Sequence, residues 1–427
     1  MNDSCFFTSF AKHISSNRLM KKHQLFVFVA FLLTAVQSFA INPPLSAGRW
    51  RAEFISNQEK FPFVFDVKVE DASSTIVLIN GEERVPLSGL TYKNDTLTVP
   101  IEAFDAELKG VVRGDVFEGK FIKHYIENDP GIPFVAKKTT EPRFPKVFSP
   151  TAISAAGKWD VQFVSANGEV EKNVGVFNQK SGIVTGSFLT NSGDLRFLEG
   201  TLTENGFTLS AFSGLSPYLV KIQFEGNDTF TGEFHTTRGT TKLIGLRNEN
   251  AKLDDPYSLT VLKEDNSKLN FSLPDIDGKA VSINDPEYKG KVVVVSILGS
   301  WCPNCLDEMK YLVPWYKQNK KRGVEIIGLA FERKEDPAYA KRVLSLLRDR
   351  YGVEYKILFG GKVGGQATSK VLPQLSKIIS YPTMIFIDKK GNVSKIHTGF
   401  NGPATGKFYE EFKDEFNQTI DELLRGK

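Results

Sequence analysis

Trp301-Cys302-Pro303-Asn304-Cys305 decides how this chain is read. The apolar run Val292 to Leu298 precedes it, and the amphipathic stretch Leu306 to Tyr316 follows it. That order predicts a buried strand feeding a Cys-x-x-Cys at the start of a helix, the setting of thiol–disulfide chemistry. A thiol at a helix N-terminus faces unpaired backbone N–H groups and the positive end of the dipole, and both favour the thiolate. The thiolate is the form that attacks a disulfide. Cys302, expected at the exposed end of the motif, is the candidate nucleophile. Cys305, one turn further along the helix, is placed to resolve the mixed disulfide.

The third cysteine, Cys5, lies upstream of a predicted export signal. Lys21 and Lys22 precede the run Leu25 to Val36, and Ser38-Phe39-Ala40 supplies small residues where a signal peptidase reads. Residues 1–40 therefore read as a signal peptide, with Met20 as the initiator or residues 1–19 extending its basic region. An uncleaved anchor is the alternative, although the run falls short of the ~20 residues that a spanning helix needs. Cleavage leaves Cys302 and Cys305 as the only cysteines of the mature chain, so the pair reads as chemistry rather than as a staple. A zinc site needs further ligands, and His124, His235 and His397 are far apart in sequence. No metal and no cofactor are expected. A net charge of +4 over 427 residues, without a basic tract, does not point to nucleic acid.

Residues 46–250 read as short strands with turn signals every 8–12 residues. Asn80-Gly81 and Asn205-Gly206 are expected as tight hairpin turns, because both residue types tolerate positive φ. The region repeats itself. Ala47-Gly48-Arg49-Trp50-Arg51-Ala52-Glu53-Phe54 matches Ala156-Gly157-Lys158-Trp159-Asp160-Val161-Gln162-Phe163, and Asp115 to Phe121 matches Asp228 to Phe234. Two antiparallel barrel or sandwich units are predicted, at 46–140 and 151–250. Each tryptophan should plug one end of its core, and the Pro-containing stretch Glu141 to Pro150 is the expected linker. Such units either dock a substrate or partner, or act as a scaffold that spaces the redox part.

From Lys268 the pattern becomes alternating strand and helix, predicting an α/β thioredoxin-like domain over 268–427 and a multidomain chain. Expected elements are strand 324–331, helix 337–351, strand 355–359, a short helix near 368–375 and strand 384–388. In the final helix, 406–424, Phe408, Phe412, Phe416, Ile420 and Leu424 should form one apolar face.

Phe-Ser-Leu-Pro-Asp-x-Asp-Gly from Phe271, Ser-Trp-Cys-Pro-Asn-Cys-x-x-Glu from Ser300 and Tyr-Pro-Thr-Met-Ile-Phe-Ile-Asp from Tyr381 resemble the TlpA/ResA-like thioredoxins. The resemblance covers about residues 268–427. It implies an exported thiol–disulfide oxidoreductase of the periplasm or cell envelope, acting on protein disulfides and resupplied with electrons by a membrane thiol carrier. It implies attacking and resolving roles for Cys302 and Cys305, and a cis-proline loop at Pro382 that pairs with substrate backbone. Trp301, Tyr381 and Thr383 would line the substrate groove. Glu308 matches the family's acidic residue near the cysteines, and three-residue spacing returns it to the face of Cys305, where it could take the thiol's proton. Thioredoxin carries a buried aspartate six residues before its first cysteine, and Ser296 stands there in this chain. The Gly402–Gly406 connection could border the docking groove, and His397 is expected as a strand residue. Two alternatives stay open: a peroxiredoxin-type peroxidase, although Gly299 stands where those proteins carry threonine, and a binding protein in which the β units do the work.

Overall fold

The computed structural model describes residues 45–70, 73–145, 150–264, 266–378 and 380–426. Cys5 and the expected signal peptide lie outside the described residues. Among the described residues no helix is long and apolar enough to cross a membrane.

Both β units form antiparallel meanders of nine strands, and in both the first strand pairs with the last. Gly48–Ser56 runs beside Glu59–Glu70 on one side and Ile132–Lys138 on the other. Gly157–Val164 is held in the same way by Val170–Lys180 and Gly239–Arg247. The repeated Ala-Gly-x-Trp has one structural meaning in both copies. Trp50 and Trp159 are fully buried, and each indole N–H donates to the carbonyl four residues earlier, Ser46 at 3.1 Å and Ala155 at 3.0 Å. A buried indole keeps its packing only if that N–H is satisfied. The second repeated motif places Phe117 and Phe121 in one core and Phe230 and Phe234 in the other.

The copies differ in closure. In the second, Val170–Lys180 also pairs with Ile183–Thr190, so the sheet returns on itself as a barrel. In the first, the edge strands Glu83–Leu87 and Thr91–Lys93 do not pair with each other. The space between them is filled from the second unit. The Phe212 ring lies 4.7 Å from Phe54, 5.0 Å from Phe63 and 5.2 Å from Phe121. Its backbone N–H donates to Asn80 Oδ1 and its carbonyl accepts from Asn80 Nδ2. An open sheet exposes an apolar face and unpaired edges, and here the neighbouring barrel covers that face.

The expected linker is therefore not a free spacer at its start. Arg143 is buried, and its guanidinium donates to the carbonyls of Ile79 and Ser210. Residues 146–149 lie outside the described residues. The expected turns are shifted by one residue. Asn80 pairs with Glu83 and Thr203 with Gly206, so the turn residues are Gly81-Glu82 and Glu204-Asn205. Of those four, only Gly81 has positive φ. Strand register, set by the buried face, overrides the Asn-Gly preference.

The C-terminal part is an α/β sheet of five strands: β1 (Val292–Leu298), β2 (Val324–Glu332), β3 (Lys356–Lys362), β4 (Thr383–Ile387) and β5 (Val393–Thr398). Their order is β3-β2-β1-β4-β5, with β1, β2 and β3 parallel and β4 and β5 antiparallel to their neighbours. The helices are α1 (Pro303–Asn319), α2 (Pro337–Tyr351), α3 (Gly365–Val371) and α4 (Lys407–Arg425). All seven residues of β1 are buried, as expected of a strand covered on both faces. The α3 helix stops four residues earlier than the sequence suggested. In α4, Phe412, Phe416 and Ile420 pack on the sheet, whereas Phe408 packs against Val174 and Leu189 of the second β unit. One periodic face thus serves two neighbours.

Candidate redox site

Cys302 caps α1. Its backbone is extended (φ −98°, ψ 114°), Pro303 begins the helix, and the Cys305 N–H donates to Cys302 Sγ at 3.2 Å. Proline is suited to a first helical turn because its missing N–H would be unsatisfied there anyway. The Cys302 thiol donates to the Tyr381 carbonyl at 3.1 Å, which places it against the cis Tyr381–Pro382 peptide. Both cysteines are free thiols. Burial and the adjacent Cys302 push the Cys305 thiol well above its usual range, with the Glu308 carboxyl a smaller contributor in the same direction.

The two positions that stood apart in sequence meet beneath the pair. The Ser296 hydroxyl, on β1, donates to Glu308 Oε2, on α1, at 2.5 Å. Glu308 is 1% exposed, which excludes a solvated helix acid. Burial raises its carboxyl to about 8, against the opposing pull of the Ser296 hydrogen bond. A carboxyl poised there exchanges a proton near neutral pH. Such a group can serve a buried thiol that must ionise.

Two expectations about exposure fail. Cys302 is only 4% exposed rather than the open end of the motif. Thr383 is fully buried, its hydroxyl donating to the Ser380 carbonyl at 2.9 Å, so it braces the proline turn instead of lining a groove. Trp301 and Tyr381 remain partly exposed, with rings 5.4 Å apart. The Trp301 indole donates to the Phe331 carbonyl at 2.8 Å. The Tyr381 hydroxyl bonds Thr368 Oγ1 at 2.9 Å. His397 sits buried on β5 between the Tyr257 and Phe412 rings, and desolvation lowers it to about 4.

The chain matches the Redoxin family over residues 263–411. It is 30% identical over 146 residues to the thiol-disulfide oxidoreductase ResA of Halalkalibacterium halodurans, covering 34% of this chain and 73% of that protein. The corresponding protein of Bacillus subtilis is 28% identical over 138 residues, covering 32% and 69%. The chain belongs to the TlpA/ResA-like family of thioredoxin-fold thiol–disulfide oxidoreductases. A thiol:disulfide interchange protein of Chlorobium tepidum, known from its crystal structure, is 23% identical, with 38% of this chain and 99% of that one aligned and a TM-score of 0.28. These relatives favour neither the peroxidase nor the binding-protein alternative.

Three further features of this TlpA/ResA-like site were missed in the sequence. Glu332, at the end of β2, accepts the Ser300 N–H at 2.9 Å and the Ser300 hydroxyl at 2.7 Å, and so pins the loop leading into the cysteines. Burial raises it to about 7. Nothing in a strand-terminal glutamate signals this. Arg333 stacks 3.6 Å over Tyr125 of the first β unit and 5.4 Å from Trp301. The third feature is the segment Asn191–Arg196 of the second β unit. Asn304 Nδ2 donates to the Asp194 carbonyl at 3.1 Å, and the Ser380 hydroxyl to the Ser192 carbonyl at 2.7 Å. The Gly402 N–H donates to Asp194 Oδ2 at 2.6 Å. Arg196 donates to the Pro303 carbonyl at 3.1 Å and pairs with both Asp307 and Glu83. All three are buried or nearly so. Only the Gly402–Gly406 side of this contact had a sequence signal.

Proposed function

We propose that the protein reduces disulfides of exported proteins through the Cys302/Cys305 dithiol. The observation that carries this reading is the capped pair above a buried Ser296–Glu308 couple. Cys302 thiolate attacks a client S–S bond, forming a Cys302–client mixed disulfide and releasing one client thiolate, which takes up a proton. Cys305 then loses its proton to Glu308 and attacks Cys302 Sγ. The Cys302–Cys305 disulfide forms, the second client thiol leaves, and two electrons have passed to the client. A membrane thiol carrier would return them by the reverse exchange. Pro382 with Tyr381 would present the client backbone, and Trp301 would shield the attacking sulfur. We place the boundaries at 46–140, 151–250 and 268–427, with 1–40 as an export signal for the periplasm or cell envelope.

Trapping tests this reading. Cys305→Ser should accumulate client adducts in cells that dissolve with reductant and require Cys302. A protein that yields none, and whose cysteines never exchange with glutathione, would overturn the assignment. Glu308→Gln should slow release of the second client thiol by about 10²–10⁴-fold, the usual range for a lost proton acceptor, while leaving the first attack nearly unchanged.

A further inference from the structure

The β region supplies one wall of the redox site. Ser192 and Asp194, two residues apart, both turn their carbonyls toward the C-terminal part, one to Ser380 beside the cis proline and the other to Asn304 inside the cysteine motif. Ser192 closes the two-residue turn between Thr190 and Gly193, and Asp194 follows in the short strand paired with Leu189, so this hairpin end is laid against the proline turn and the cysteine motif. The fit is close. A Cβ on Gly193 (φ +129°) would stand 2.1 Å from Asn304 Nδ2 and 3.0 Å from the Phe400 carbonyl. A Cβ on Gly399 would stand 3.0 Å from the Asn191 carbonyl. The far end is anchored by Arg196 between Asp307 and Glu83, and Cys302, two residues before Asn304, is 4% exposed.

We propose that Ser192–Arg196 is the specificity element of this oxidoreductase: it occupies the client-peptide track, so a protein disulfide reacts only by displacing it. The inference rests on Cys302 being the attacking thiol. A client strand laid along the Tyr381–Pro382 turn would meet the Ser380 hydroxyl and the face of Asn304, and both already hold backbone carbonyls of the segment. A small disulfide needs only the sulfur, not the track. Selection then acts on the segment's affinity for its own groove, because a client's apparent affinity falls by the fraction of molecules in which the track is free.

The test uses Cys305→Ser protein carrying either glutathione or a single-cysteine insulin B-chain peptide on Cys302, followed by amide hydrogen exchange. The peptide adduct should exchange at least tenfold faster across 190–196 and at the Gly402 amide, whereas the glutathione adduct should match the unmodified protein. Equal protection in both adducts would overturn the proposal. Gly193→Val provides the complementary measurement in the dithiol protein, with folding checked by thermal unfolding. Insulin reduction should rise tenfold or more, and reduction of glutathione disulfide should change less than threefold. An unchanged or slower insulin rate in folded Gly193→Val would also overturn it. If the unsubstituted protein attacks neither glutathione disulfide nor insulin, the oxidoreductase roles of Cys302 and Cys305 fail, and that result is distinct from equal protection.

Discussion

The two β units make the same turn at the same place and use it differently. In the first, Asn80 pairs with Glu83 across Gly81-Glu82, and pairing runs on to Leu87. In the second, Thr190 pairs with Gly193 across Asn191-Ser192, and pairing ends at Asp194. There the chain leaves the sheet and lies on the redox site. The two turns then meet, because Glu83 of the first holds Arg196 of the second. What the copies share, Trp50 with Trp159 and their bonded indoles, concerns packing. The copies diverge where they approach the cysteines. The core is common to both units, and one turn alone is used against the redox site.

The largest effect should come from the shared part. Trp50→Ala and Trp159→Ala each remove a fully buried indole, and each should cost about 3–5 kcal/mol in denaturant unfolding. Near-equal losses are expected; a twofold difference would break the equivalence of the copies. Arg196→Ala should follow at about 3 kcal/mol, since it leaves Glu83 buried without its cation and Asp307 with Lys310 alone. Arg84, exposed in the first copy, should lose under ~0.5 kcal/mol on the same change. Gly193→Ala and Gly81→Ala give a finer comparison. Both glycines have positive φ, but Gly81 has no atom within 3.7 Å of its Cβ position, its nearest neighbour standing at 3.8 Å. Gly81→Ala should cost about 1 kcal/mol of backbone strain. Gly193→Ala should cost about twice that, because Asn304 must move.

These contrasts also show what the sequence could and could not convey. The redox fold was legible because each of its signals is local: an apolar run, a helix-capping Cys-Pro, an apolar face repeating every four residues. The pairing of Ser296 with Glu308 was half legible. Each residue stood out against a known pattern, but only the packing of β1 on α1 joins them. The contact made by Asn191–Arg196 was not legible at all. Asp194 and Arg196 read as ordinary surface charges of a β-turn, and their partners Glu83, Asn304, Asp307 and Gly402 are scattered over the whole chain. The open first sheet was hidden for a related reason, since closure depends on Phe212 arriving from another unit.

The last contrast is a pH dependence confined to the second turn. Asp194 and Arg84 occupy equivalent positions, opposite Leu189 and Ile79. Asp194 is buried with its carboxylate accepting the Arg196 and Gly402 amides, and Arg196, Asp307 and Glu83 are the charged groups gathered around it. Burial, reinforced by Asp307, outweighs the amides and Arg196 and raises the acid from 3.8 to about 6. A raised acid binds its proton more tightly in the folded state than in the unfolded one. Its contribution to stability is therefore fully present below pH ~4, falls as the pH rises through about 6, and is constant above that. Asp194→Asn removes the titration, so the stability difference between variant and parent should shift in the variant's favour by roughly 1–3 kcal/mol between pH 4 and pH 7. Arg84→Gln should show no such shift. Parallel curves for Asp194→Asn and its parent across that window would mean that Asp194 stays ionised under the Gly402 amide, and that burial costs the second turn no more than it costs the first.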